Sequence, residues 1–575
     1  MDAYHRSSAE HIREIKQVGA SRTADTVTAP KEHAAPFQGA GARGARGRNW
    51  GAIMRCGRIG SMACRVIGGV ALLMSAGILV APRMSNNEYS PVWLLLAVAA
   101  SAAAFAGWMC RGRRRESRFT DRAWNLIIGI VGALMVMATG FVAWWGAYIP
   151  TWDARLIKTS SGRPPETYST YMVDYFSRYP NNHAVLALGR LARQGERIGL
   201  DYEATFALMN TASLALAGLA MVATVRMLAG PRRALAAMIA LFVLIGLSPW
   251  VSVPYTDVSG VWAPPVAVFL FVYWARAGRK AGRIVAALAF GGVLAIGYVL
   301  RIFPVVGLVA AALALLLAGR SSARLRARPS GVAFVALSVT AFFVTVQLAT
   351  AASTVVADLP PLKRGISAAP LMYVAAGVRV QTSETAKPTY GGFDREVNRR
   401  TWAKSHDEQN RISRHYIEQA WDRRGPVGTA RFMASKMLFL WGDGMFWARG
   451  EGTDMDVPPL RHGWQSDLVA AVNTPNGAAY AVRVHVAQVL WVVLLMAAGW
   501  GLLRGRCRRE VLLMAVTIAG IAAFTLLFLG RSRYLLGDVP VLIALALTAL
   551  PARRPAPRRG DGKRDHPRLG HETSH

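Results

Sequence analysis

The sequence predicts an all-α polytopic membrane protein of about twelve transmembrane helices with one large extracytoplasmic loop. Three observations carry this. The 575-residue chain is 53% hydrophobic and only 17% charged, with a mean hydropathy of +0.27. Its apolar residues fall into runs long enough to cross a bilayer core, which takes ~20 helical residues. Its formal net charge of +34 is concentrated as Arg clusters in short connections between those runs. Short cytoplasmic loops are biased toward Lys and Arg, so the clusters mark one side of a membrane and call for no nucleic-acid partner.

The runs follow in order. Residues 1–60 are polar and basic, without an early apolar core, and read as a disordered cytoplasmic tail. Residues 61–118 hold two runs, about Val66–Ala81 and Pro91–Cys110, closed by Arg111-Gly-Arg-Arg-Arg. Residues 119–350 hold the transmembrane core. Its first run, about Trp124–Tyr148, ends in Trp144, Trp145 and Tyr148, an interface signature. Further runs are expected at about Phe206–Leu228, Ala234–Leu247, Val258–Trp274, Ile284–Leu300, Val305–Leu317 and Val332–Thr350. Residues 351–483 are polar and read as an extracytoplasmic region. Residues 484–550 carry three last runs, about Val484–Leu503, Val511–Leu529 and Leu535–Leu550, and 551–575 form a second basic cytoplasmic tail. With both termini inside, every dense Arg cluster in a short connection falls on the cytoplasmic side.

The same alternation places a polar, aromatic loop outside, at 149–205. Asp153 follows Trp152 five residues after the span. A carboxylate there is either a general base or a solvated loop residue. Tyr179-Pro-Asn181-Asn182 reads as a helix start with Asn181 or Asn182 as its cap. The short amphipathic run Asn182–Arg193 that follows reads as a helix lying at the outer surface. Pro254-Tyr255-Thr-Asp257 sits at another outer end, with Asp257 as a cap or as a neighbour of the Asp153 loop. Arg301 interrupts two apolar runs, and Arg531 and Arg533 lie outside against the charge bias. Such residues are functional candidates by default. The region 351–483 contains a Gly391-Gly-Phe-Asp394 turn, a polar helix Asp407–Arg424, an amphipathic Val427–Trp441 with Lys436, and an aromatic Trp441–Trp447. Four cysteines show no pairing or C-x-x-C spacing, and neither phosphate-loop nor metal-ligand spacing is present.

This constellation resembles the bacterial type C glycosyltransferases, which include protein and lipid mannosyltransferases that use polyprenyl-phosphate sugars. It rests on a first core helix leading into an early Asp, then Tyr-Pro-Asn-Asn, an outward Tyr-Thr-Asp, Gly-Gly-Phe-Asp, Lys436…Trp441-Gly-Asp-Gly, and a late Arg533-Tyr534. It spans about Ala123–Leu550. The resemblance implies a type C fold and Asp153 as catalytic base. It implies a polyprenyl-phosphate hexose as donor and a glycan, glycolipid or protein as acceptor. Tyr255, Asp257, Asn181, Asn182, Arg301, Arg531, Arg533 and Tyr534 become the substrate-binding candidates. The family's first outer loop often has two acidic residues close together. Here Asp153 is followed by Ala and Arg, and no cofactor or metal is called for. The alternatives are a transporter or flippase for a lipid-linked sugar, with polar residues at the bilayer midplane, and a non-enzymatic membrane assembly protein.

Overall fold

The computed structural model describes residues 42–81, 89–111, 119–149, 152–318, 328–381, 388–448, 459–505 and 507–550. The expected tails at 1–41 and 551–575, and the Arg clusters at 112–118 and 319–327, lie outside them. The chain divides into two units, residues 1–52 and 53–575, and the description below concerns the second.

Among the described residues, ten helices are long and apolar enough to cross a membrane. They are Arg58–Val80, Pro91–Trp108, Asp121–Trp145, Tyr202–Ala229, Thr256–Arg276, Lys280–Leu300, Gly331–Ala357, Tyr480–Arg504, Arg509–Leu527 and Ser532–Ala549. The other two expected runs form shorter helices. Pro231–Leu241 continues into a wider turn at Phe242–Gly246, and Val305–Leu317 follows the break at Arg301. At about 1.5 Å per residue each helix by itself is shorter than a hydrocarbon core of about 30 Å, and the neighbouring segments, 248–255 and 301–304, complete the path.

The bundle is layered by burial. Ser532–Ala549 is 94% buried and forms the centre, whereas Pro91–Trp108 is 11% buried and peripheral. Lys280–Leu300 packs tightly along Gly331–Ala357, where a Cβ at Gly291 would lie 2.1 Å from the Ser338 carbonyl oxygen. Small residues at such crossings let two backbones approach in lipid, where packing replaces the hydrophobic drive. Caps set the helix starts: Thr120 accepts from the Ala123 amide and Asp201 Oδ1 from the Ala204 amide.

Three local expectations change. The helix Asn182–Arg193 does not lie at the surface, since seven of its residues, including Val185, Leu186 and Ala192, are buried. Asn181 makes no side-chain cap and instead donates to Asn182 Oδ1 at 3.1 Å. Asp257 is not the cap of its helix either; that position is Tyr255, and Asp257 lies inside Thr256–Ser259.

The region after Ala357 is folded rather than loose. Helices Pro370–Gly377, Arg395–Thr401 and Trp464–Asn473 flank a long one, His406–Trp441, kinked at Gly425-Pro426. A two-residue antiparallel pair joins Val380 to Tyr390 and Gln381 to Thr389. Lys436 ties this region to the bundle: its buried ammonium donates to the carbonyls of Gly377 (2.8 Å), Leu526 (2.8 Å) and Phe528 (2.7 Å). Burial pushes its pKa down to about 7. Gly391, at φ 66°, packs on this lysine, and a Cβ there would lie 2.5 Å from its Cε.

Candidate functional site

The two ends of the bundle carry different chemistry. One end gathers Trp152–Asp153, Asn182, Tyr255–Asp257, Arg301, Asp443–Trp447 and Arg531–Tyr534, all joined by the contacts below. These segments come from six separate stretches of sequence, and helix lengths and turns bring them together.

Asp153 lies in the first turn of Trp152–Ser161 and is half-buried. The Tyr175 hydroxyl acts on its carboxyl and favours the charged form. A relay stands behind that phenol. Asn182 Nδ2 donates to Tyr175 Oη at 2.6 Å, and the Tyr255 hydroxyl donates to Asn182 Oδ1 at 3.1 Å. The amide thereby leaves the Tyr175 proton for Asp153. Burial pushes the Asp153 carboxyl above its ordinary range, while Arg533, the Tyr175 hydroxyl and Arg531 pull the other way.

Two arginines face this carboxylate from the segment Arg531-Ser-Arg533. Arg533 is buried, and its guanidinium carbon lies 4.6 Å over the Trp152 ring and 5.4 Å over the Tyr534 ring. Arg531 lies 5.5 Å over the Trp447 ring, and burial and the Arg533 charge push its pKa down to about 10. Both tryptophans that meet these cations have left-handed backbones, with φ 45° at Trp152 and 62° at Trp447. Side chains rarely adopt that conformation, at a cost of ~1–3 kcal/mol, and it concentrates at functional sites. Asp443 holds the second turn by accepting from the amides of Met445 (2.9 Å) and Trp447 (2.6 Å), and Ser532 donates to it at 3.4 Å. Burial raises its carboxyl.

Asp257 and Arg301 form a buried ion pair, Nη1 to Oδ1 at 3.2 Å, and Arg301 also donates to the Asp257 carbonyl at 3.2 Å and the Tyr534 carbonyl at 3.4 Å. Asp257 and Asp153 both act electrostatically on Arg533. Tyr255 meets Trp152 edge-on at 4.9 Å.

Of the residues singled out in the sequence, the structure joins Asp153, Asn182, Tyr255, Asp257, Arg301, Arg531, Arg533 and Tyr534. Asn181 is exposed and reaches the group only through Asn182. The Arg301 guanidinium is engaged by Asp257, so the cations turned to Asp153 are Arg531 and Arg533. Tyr175 and Trp447 carry no individual signal in the sequence.

Chemically, a carboxylate with a raised pKa beside two cations suits proton abstraction next to a departing anion. Among the described residues, no group of three or more His, Cys, Asp or Glu side chains is placed to hold a metal ion. Comparison with curated proteins and comparison with solved structures each give no match. A family described as conserved hypothetical integral membrane protein matches over residues 83–553, a stretch that holds every residue of this site, and the chain belongs to that family.

Proposed function

We propose that the chain is a type C glycosyltransferase that moves a hexose from a polyprenyl-phosphate sugar to a cell-envelope acceptor. The site faces the outer side of the cytoplasmic membrane, and both termini face the cytoplasm. The observation that carries this reading is Asp153, with Tyr175, Arg533 and Arg531 all acting on its carboxyl.

In the reaction, Asp153 takes the proton of an acceptor hydroxyl. The acceptor oxygen attacks the anomeric carbon as the bond from that carbon to the phosphate oxygen breaks. The phosphate leaves with the electron pair, and its growing charge is met by the two arginines. Tyr175, Asn182 and Tyr255 orient the base. Arg301 and Asp257 fix the Tyr534 backbone beside it. An apolar cavity of about 240 Å³ lies between Asp121–Trp145, Tyr202–Ala229 and Met238–Phe242, lined by Gly129, Thr139 and Gly218 among others. Its position within the spans suits a lipid chain, and the helix Asp121–Trp145 that walls it leads on to Trp152–Asp153.

The sidedness rests on the opposite end, where Arg226, Arg232, Arg233, Arg283 and Arg509 collect. Two tests apply. Membrane vesicles holding the wild type should transfer hexose from a polyprenyl-phosphate hexose, and vesicles holding Asp153→Asn should not; equal transfer by both refutes the base. Asp407 is exposed, and an Asp407→Cys variant should react with a membrane-impermeant maleimide in intact cells. Labelling only after the cells are opened refutes the orientation.

A further inference from the structure

Beside the carboxylate stands an aromatic surface that the reaction above leaves unused. Tyr171, in the helix Thr170–Arg178, is 59% exposed although its ring is stacked on Trp402. The two rings are nearly parallel, with centroids 5.6 Å apart and an angle of 11°. They come from segments far apart in sequence, Trp402 ending the helix Arg395–Thr401.

The stack is anchored. The Arg178 guanidinium carbon lies 5.3 Å over the Trp402 ring. Arg178 is itself fully buried and donates to the Thr401 carbonyl and hydroxyl, each at 2.7 Å. The Tyr179 ring meets Trp402 edge-on at 6.4 Å, and its hydroxyl donates to Asn398 Oδ1 at 2.7 Å. Ala403, the next residue, has a left-handed backbone at φ 54°, which fixes the turn that carries Trp402. Tyr179 also meets the Tyr175 ring edge-on at 5.2 Å, which links the stack to the Tyr175–Asn182 relay beside the base.

An exposed tyrosine held flat and rigid is prepared for a flat ligand, because ordering it costs little on binding. Its neighbours Ser169, Thr170, Ala403 and Lys404 are exposed and mostly polar. An interface anchor would be set in an apolar skirt instead. The aromatic face is electron-rich and complements the C–H face of a pyranose ring, while the ring's hydroxyls stay with water and polar side chains. We propose that Tyr171 and Trp402 form the acceptor subsite, and that the acceptor is a saccharide whose ring stacks on Tyr171 with a hydroxyl directed to Asp153. This rests on the glycosyltransferase reading and names its acceptor class.

The test is direct binding to purified full-length protein in detergent, read by saturation-transfer NMR and calorimetry, with α- and β-linked hexose disaccharides as probes. At least one disaccharide should bind the wild type, and Asp153→Asn, which alters one hydroxyl contact and leaves the stack, should weaken that binding by less than about threefold. Tyr171→Ala should weaken that binding at least about tenfold. Trp402→Phe, which keeps a flat ring, should lose less than about threefold. No binding by any disaccharide overturns the proposal, as does equal binding by Tyr171→Ala. Transfer that survives Asp153→Asn, together with binding lost in Tyr171→Ala, would remove the base and leave the saccharide subsite standing.

Discussion

The two ends of the helical bundle hold charge in opposite ways. At one end the arginines serve the edges of helices. Arg233 donates to the Leu547 and Leu550 carbonyls, Arg509 to the Ala275 carbonyl and Arg283 to the Ala277 carbonyl. Arg232 lies over Trp108 at 4.3 Å, and Arg226 reaches a 92% exposed Asp121 at 3.6 Å. These are cations near helix C-termini with water at hand, and each costs the fold little. At the other end Asp153, Asp257, Asp443, Arg301, Arg531 and Arg533 sit together, buried or half-buried, beside two strained tryptophans. Taking that many charges from water is expensive, and packing alone gives no reason for it. The first arrangement orients a protein in a membrane; the second is what a reaction with moving charge requires.

The largest way to break this contrast is to neutralise the proposed base. Asp153→Asn should lower hexose transfer by about 10²–10⁴-fold, the usual weight of a general base, with membrane expression unchanged in a blot of the same vesicles. Unchanged turnover would reduce the whole polar end to a structural feature. Next comes the ion pair. Arg301→Leu strands Asp257 in a buried place and should cost about 3–5 kcal/mol, seen as a lower melting temperature in detergent. Arg301→Leu combined with Asp257→Asn should recover most of that loss. A double variant as unstable as the single one would show that the pair does more than neutralise itself.

Tyr175→Phe sharpens the contrast at the base. The phenol favours the ionised carboxylate and pulls the Asp153 pKa down against burial. Without it the pKa rises. A base works deprotonated, so activity falls as pH drops through that pKa. The acid limb of the pH–rate profile should therefore move to higher pH in Tyr175→Phe, with transfer reduced up to about tenfold near neutrality, the upper end for a polar group acting on a charge, ~1.5 kcal/mol. An acid limb that stays in place would separate Tyr175 from the base.

Much of the fold is legible in the sequence because lipid imposes a simple code: apolar runs and Arg clusters locate all ten long spans. The two runs that fall short, at Pro231–Gly246 and Val305–Leu317, have the composition of spans without the length. The helix Asn182–Arg193 reads as a surface helix because amphipathicity is the same whether the apolar face meets lipid or protein. In the site, Asp153, Tyr255, Asp257 and the Arg531–Arg533 pair stand out as polar residues at span ends. Tyr175, Trp447 and Trp402 do not, since an aromatic in an interfacial loop has many ordinary uses and only the fold pairs it with a distant partner. The contact of Cys64 Sγ with Cys507 Sγ, at 3.2 Å across 443 positions, is hidden for the same reason.

The smallest expected effect tests the other end. Arg226→Ala removes an ion pair whose carboxylate is almost wholly in water, and such exposed pairs contribute ~0–1 kcal/mol. The melting temperature in detergent should barely move, and hexose transfer should stay at the wild-type rate. Orientation should also hold, because Arg232, Arg233, Arg276, Arg279 and Arg283 remain to mark that side. A large loss of transfer from Arg226→Ala would mean that the basic end is coupled to the reaction across the length of a membrane span. The difference between the ends would then be one of degree, and the case for a single charged site would have to be rebuilt around a path between them.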